Sequence, residues 1–220
     1  MSVQTNITLD DLTNRDLITP RSNQTYELDP EIHRAIEQSG PTPIEDHPVL
    51  RDDPEKAELI DVCNDDPEFL KKYVAVAQKT RDLPLETQLS LVFVIDQFIE
   101  PQLNFGGAPE AFQPVRGRHL RTAIELHPRS VVYAWRHDCD ACDTMKQTLD
   151  EVFEDGSDRY GLFAVYGTDC AALLHDQFDV DGAPTTLFCA DGAVDSRLMG
   201  AQYARSVESE VEMIDRRAER

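Results

Sequence analysis

Two cysteines separated by two residues, in the run Cys139-Asp140-Ala141-Cys142, are the side chains best suited to chemistry. They follow an apolar run, Val131–Trp135, that reads as a strand, and they open a segment, about 140–153, that reads as a helix. A helix N-terminus offers unpaired N–H groups and a partial positive charge, and both stabilise a thiolate, the species that attacks a disulfide. Two intervening residues let the second thiol reach the first. Cys139 is then the nucleophile, and Cys142 the resolving thiol that expels a mixed-disulfide partner and leaves a Cys139–Cys142 disulfide.

The elements that must hold this pair are legible around it. From Arg118 the order reads helix (118–126), strand (131–135), helix (140–153), strand (162–166), helix (170–178), strands (185–189 and 194–199) and helix (204–217). Asp191-Gly192 marks the turn between the last two strands. Strands alternating with helices and closing on a hairpin imply a mixed sheet flanked by helices. In the last helix Tyr203, Val207, Val211 and Ile214 recur at near-helical spacing, a face that can lie on the sheet.

The first half reads differently. Residues 1–27 lack sustained periodicity and are expected as a flexible arm. Residues 28–117 are expected as a mostly helical region of unassigned function. Asp29-Pro30, Asp53-Pro54 and Asp66-Pro67 each offer an N-cap followed by a first-turn proline, predicting helices over 31–38, 55–63 and 67–80. A linker, 41–49, separates the first from the second. In 85–100, Leu91, Val94, Ile95, Phe98 and Ile99 trace the buried face of another helix. The stretch 103–117 reads as a connection with a short strand near 112–115.

With these motifs in place, residues 118–220 resemble the thioredoxin family. The strand, Trp135 and the Cys pair are similar to the family's apolar strand, tryptophan and CxxC. Gly182-Ala183-Pro184-Thr185 resembles the segment carrying its cis-proline, and Asp191-Gly192 through Gly200-Ala201 resembles its closing hairpin. The resemblance implies a cis bond before Pro184, with Ala183 and Pro184 beside the cysteines to pair with an extended substrate. Four positions depart from the family: Tyr133 stands where it commonly has a buried Asp, Asp138 replaces the usual aromatic, and Asp140-Ala141 replaces Gly-Pro between the cysteines. Trp135 and His137 are expected as supporting residues, His137 as a proton carrier or a solvated loop residue.

Composition narrows the function classes. The 42 acids against 21 bases give a formal net charge of −21. Such charge opposes attraction to phosphate backbones and anionic lipid, so neither nucleic-acid nor membrane partners are expected. No run approaches a spanning helix, and a cytoplasmic location is expected. The excess of Asp over Glu and of Arg over Lys, dispersed along the chain, has the character of proteins from salt-accumulating organisms. Thermal unfolding followed against KCl should therefore give a midpoint that climbs from dilute buffer to molar salt. A flat profile would remove the halophile reading.

Five cysteines, with one close pair, do not suit a disulfide-stapled scaffold. Cys63 and Cys189 read as buried small hydrophobes, and Cys170, near a helix start, as a candidate second thiol. Structural zinc needs about four ligands, and only His137 or His175 could join the pair, so no metal is expected. No flavin or nicotinamide motif is present, and the only redox group expected is the Cys139–Cys142 disulfide itself. The partners expected are protein disulfides and a separate reductase as electron donor. A redox-responsive binding module, its helical region holding a partner according to the state of the pair, is the alternative.

Overall fold

Strand β4 (Arg129–Trp135) is almost wholly buried, as a central strand covered on both faces must be. Its neighbours show why. In the computed structural model, which describes residues 8–21, 25–38, 50, 59, 61–99 and 106–218, β4 pairs in parallel with β5 (Gly161–Tyr166) and antiparallel with β6 (Thr185–Ala190). The short strand β3 (Gln113–Pro114) extends the sheet parallel to β5, and β7 (Ala193–Met199) closes it antiparallel to β6. The sheet order is β3-β5-β4-β6-β7. Asp191 and Gly192, both at positive φ (51° and 74°), make the β6–β7 turn.

Alternation along the strands divides the core. Val131, Tyr133, Trp135, Leu162, Ala164 and Phe188 share one cluster with Cys142, Met145 and Leu149 of a helix over Asp140–Val152, and with Val207 and Ile214 of the C-terminal helix, Ala204–Ala218. The intervening Val132, Ala134, Phe163, Val165 and Leu187 are equally buried. On that side lie the helices Leu120–Leu126 and Ala171–Phe178: the ring of His127, just past the first, stands 4.9 Å from that of Phe163, and Leu174 of the second lines a cavity with Ala134. The result is the expected α/β, thioredoxin-like architecture, a mixed sheet flanked by helices.

The N-terminal half holds α1 (Leu9–Asn14), strands β1 (Ile18–Pro20) and β2 (Tyr26–Leu28), and helices α2 (Pro30–Gln38), α3 (Pro67–Lys79) and α4 (Leu85–Ile99). In the same numbering the helices of the second half are α5 (Leu120–Leu126), α6 (Asp140–Val152), α7 (Ala171–Phe178) and α8 (Ala204–Ala218). Phe69 and Phe93 meet at 5.1 Å between α3 and α4. Lys72, 1 % exposed, donates to Asp96 at 2.5 Å, and Tyr73 donates to Gln88 at 2.9 Å. A buried cation needs such a partner.

Two expectations are corrected. Within the expected arm, 1–27, the described residues carry structure: Thr8 and Asp11 cap α1 reciprocally, and β1 pairs antiparallel with β2 from Ile18↔Leu28 to Pro20↔Tyr26. Three-residue strands are too short to show the alternation that betrays longer ones. The boundary expected at 117/118 lies earlier, the chain dividing into Gln4–Gln102 and Leu103–Arg220. The reason is β3, an edge strand of the sheet that precedes residue 118. The helices expected from 118 and 170 begin as 3-10 turns, Gly117–His119 and Gly167–Cys170, before α5 and α7. The linker 41–49 and most of the helix expected over 55–63 lie outside the described residues.

Candidate functional site

The site forms where β4 ends and α6 begins. Asp138 turns the chain at φ 53°, in a left-handed conformation that Asp tolerates better than most residues. Cys139 is the N-cap of α6, with extended backbone at φ −142° and ψ 92°. The Cys142 N–H donates to the Cys139 sulfur at 3.2 Å and to its carbonyl at 2.8 Å, and the Asp143 N–H donates to the same carbonyl at 3.1 Å. The first sulfur therefore sits at the positive end of the helix, as its place in the sequence implied.

Cys139 and Cys142 are disulfide-bonded, with their Cα atoms 5.2 Å apart. Their environments differ: Cys142 is 3 % exposed, whereas Cys139 is half-buried and reachable from solvent. That asymmetry leaves Cys139 as the sulfur of the pair that a thiol in solution can reach. Asp138, Asp140 and Asp143 are all exposed around it, and their charge opposes thiolate formation while the helix terminus favours it.

Opposite the pair, the Ala183–Pro184 bond is cis, as the resemblance implied. The carbonyl of Ala183 lies 3.8 Å from the Cys139 sulfur. The loop is fixed at both ends: the Thr185 hydroxyl donates to Gly182 at 2.7 Å, and the Gly200 N–H donates to the Pro184 carbonyl at 2.8 Å. Cys139, Cys142, Ala183 and Pro184, some 45 residues apart in the chain, are thus brought together.

Trp135 is buried in the core beneath them, and His137 and Tyr166 complete a ring trio: Trp135 to His137 is 5.0 Å, Trp135 to Tyr166 4.9 Å and His137 to Tyr166 5.0 Å. His137 is exposed, so its ring covers the aromatics while its edge meets solvent. Tyr166 was not singled out in the sequence; its signal was its place as the last residue of β5, in register with Trp135. Gly107 was also missed. A Cβ there would stand 2.2 Å from two carbons of the Trp135 ring, so only glycine fits without movement.

Beside Ala183 opens a cavity of about 620 Å3, walled by Arg136, Gly167, Thr168, Leu174, His175 and Asp181. His175 and Asp181 pair at 2.7 Å, which raises the imidazole pKa above its usual value. The remaining cysteines are unsuited to nucleophilic work. Cys63 and Cys189 are fully buried, as expected, and burial pushes the Cys189 thiol up to about 11. At Cys170, the candidate second thiol, burial and then the charge of Asp169 also push the pKa up to about 11. Among the described residues no three His, Cys, Asp or Glu side chains cluster so as to hold a metal ion, and no helix is long and apolar enough to cross a membrane.

The chain matches no protein-family model and no curated protein. It is similar to solved thioredoxin structures. Mitochondrial thioredoxin 3 from Saccharomyces cerevisiae, in its oxidized form, is 14% identical over 47% of this chain and 95% of its own, with a TM-score of 0.42. Chloroplastic thioredoxin z is 19% identical over 47% of this chain and 94% of its own, also at 0.42. Desulfothioredoxin from Desulfovibrio vulgaris Hildenborough, in its reduced form, is 20% identical over 43% and 88%, at 0.39.

Proposed function

We propose that this protein is a thiol–disulfide oxidoreductase that reduces protein disulfides through Cys139 and Cys142. The observation that carries the reading is the bonded pair at the mouth of α6, its half-buried member 3.8 Å from the Ala183 carbonyl. In the reduced state the Cys139 thiolate attacks a client disulfide, forming a mixed disulfide and releasing one client thiolate. Cys142 then loses its proton to solvent and attacks the Cys139 sulfur. This closes the Cys139–Cys142 bond and frees the second client thiolate, so two electrons have passed to the client. Ala183 and Pro184 present backbone to an extended client segment, and Trp135 and His137 support the wall beneath it.

The cycle uses no group beyond the protein's own dithiol, and a separate reductase returns the electrons. A reducing, cytosolic setting is consistent with Cys63, Cys170 and Cys189 standing outside the disulfide. We assign the N-terminal unit, Gln4–Gln102, to partner attachment or regulation.

The acids around Cys139 set the expected direction. By disfavouring the thiolate they remove a term that would stabilise the reduced form, so the potential should lie nearer thioredoxin's, about −270 mV, than protein disulfide isomerase's, about −180 mV. Equilibration with a dithiol buffer of known potential measures it, and molar KCl should shrink the contribution of the exposed acids. A value at or above about −180 mV would contradict the reductant assignment. Turnover of a small protein disulfide such as insulin tests the activity itself.

A further inference from the structure

We propose that Tyr133 is the positioning residue of the resolving thiol, its hydroxyl fixing the backbone of Cys142 so that the second sulfur stays aimed at the first when the disulfide opens. The inference deepens the oxidoreductase reading and rests on it. Tyr133 lies in the central strand β4, in register with Ala164 on one side and Thr186 on the other, and is 0 % exposed. Its O–H donates to the Cys142 carbonyl at 2.7 Å. That carbonyl belongs to the first turn of α6, so the bond ties the helix to the sheet at the residue that carries the resolving sulfur. Cys142, Met145, Leu149 and Trp135 belong to the same buried cluster as Tyr133. The Cys142 sulfur, 3 % exposed, is carried on the backbone that this bond holds, whereas Cys139, at the cap, follows the turn at Asp138.

The hydroxyl positions and does not carry protons. Burial, with Asp143 and then Asp150 of α6 adding negative charge, raises the phenol pKa well above its usual value, so it stays protonated across the neutral range. Asp150 is itself bonded to Lys146 at 2.6 Å and to the Glu110 N–H at 2.7 Å. The strand neighbours Ala164 and Thr186, and Val207 and Ile214 of α8, bring no titratable group to the ring.

Reduced protein in a Cys170→Ser background, mixed with equimolar dithionitrobenzoate, separates the two thiols. Attack by Cys139 releases one coloured nitrothiobenzoate and leaves a mixed disulfide. Attack by Cys142, its proton passing to solvent, releases the second and closes the Cys139–Cys142 bond. Tyr133→Phe should leave the first phase unchanged and slow the second roughly three- to tenfold, the range of one hydrogen bond of ordinary net strength, with no movement in the pH midpoint. A second phase at the unsubstituted rate, or a midpoint that moves, overturns the proposal. Circular dichroism checks that the variant folds. If it does not, the pH dependence of the second phase in the unsubstituted protein decides: a single thiol ionisation supports the proposal, and a further ionisation in the neutral range overturns it. A chain that shows both phases yet fails to reduce protein disulfides sinks the oxidoreductase reading and leaves this result standing.

Discussion

Cys139→Ser should reduce the turnover of a protein disulfide to background, a loss of three orders of magnitude or more, on the order of 4 kcal/mol of transition-state stabilisation. A serine hydroxyl is not ionised at neutral pH and is not exchanged against a disulfide, so no alternative nucleophile stands at the cap of α6. Cys170 cannot replace it, its thiol being pushed up to about 11 by burial and the neighbouring Asp169. Cys142→Ser should behave differently. The first attack survives because Cys139 keeps its place at the helix terminus, but the mixed disulfide has no internal thiol to resolve it, and multiple turnover stops after one equivalent. Equal first-turnover thiol release in the two variants would contradict the division of roles read from their exposure. Insulin precipitation for multiple turnover, and thiol release for the first turnover, separate the two outcomes.

Gly107→Ala is expected to have the largest effect among substitutions away from the sulfurs. The added methyl would stand 2.2 Å from two carbons of the Trp135 ring, and that ring is already held by Tyr166 at 4.9 Å and His137 at 5.0 Å. Indole cannot swing aside in a close-packed core, so either the 106–109 turn or the trio must shift. Overpacking of this kind costs about 1–3 kcal/mol, which should lower the unfolding midpoint by roughly 5–12 °C. Trp135 is the sole tryptophan, so the displacement is visible in one signal. Its emission should change in the folded variant, and peptide reduction should slow because the wall under Ala183 has moved. A variant with unchanged emission and midpoint would show that the turn yields without cost.

The C-terminal unit was legible in the sequence because its signals are local. Apolar runs bounded by turn residues gave the strands, and the Asp191-Gly192 pair gave the hairpin. The Cys pair at a strand-to-helix junction gave the site. The Asp66-Pro67 start was equally plain, and α3 begins at that proline with Asp66 as its cap. What escaped the reading depends on contacts between distant residues. Gly107 faces Trp135 across 28 positions, and Tyr133 reaches Cys142 only once β4 and α6 are packed. The β1–β2 hairpin was missed because three-residue strands, one ending in Pro20, carry no alternation. The α1 cap had a local signal, Thr8 three residues before Asp11, but in a helix of six residues it was too short to stand out from an arm.

The central claim is that the Cys139 sulfur attacks a client and Cys142 releases it, and intact-mass analysis of reduced Cys142→Ser after incubation with a disulfide-bonded protein tests it most directly. The account predicts one client molecule joined to this chain, mapped by proteolysis to Cys139 and removed by dithiothreitol. No adduct, or an adduct that maps to Cys170, would contradict it.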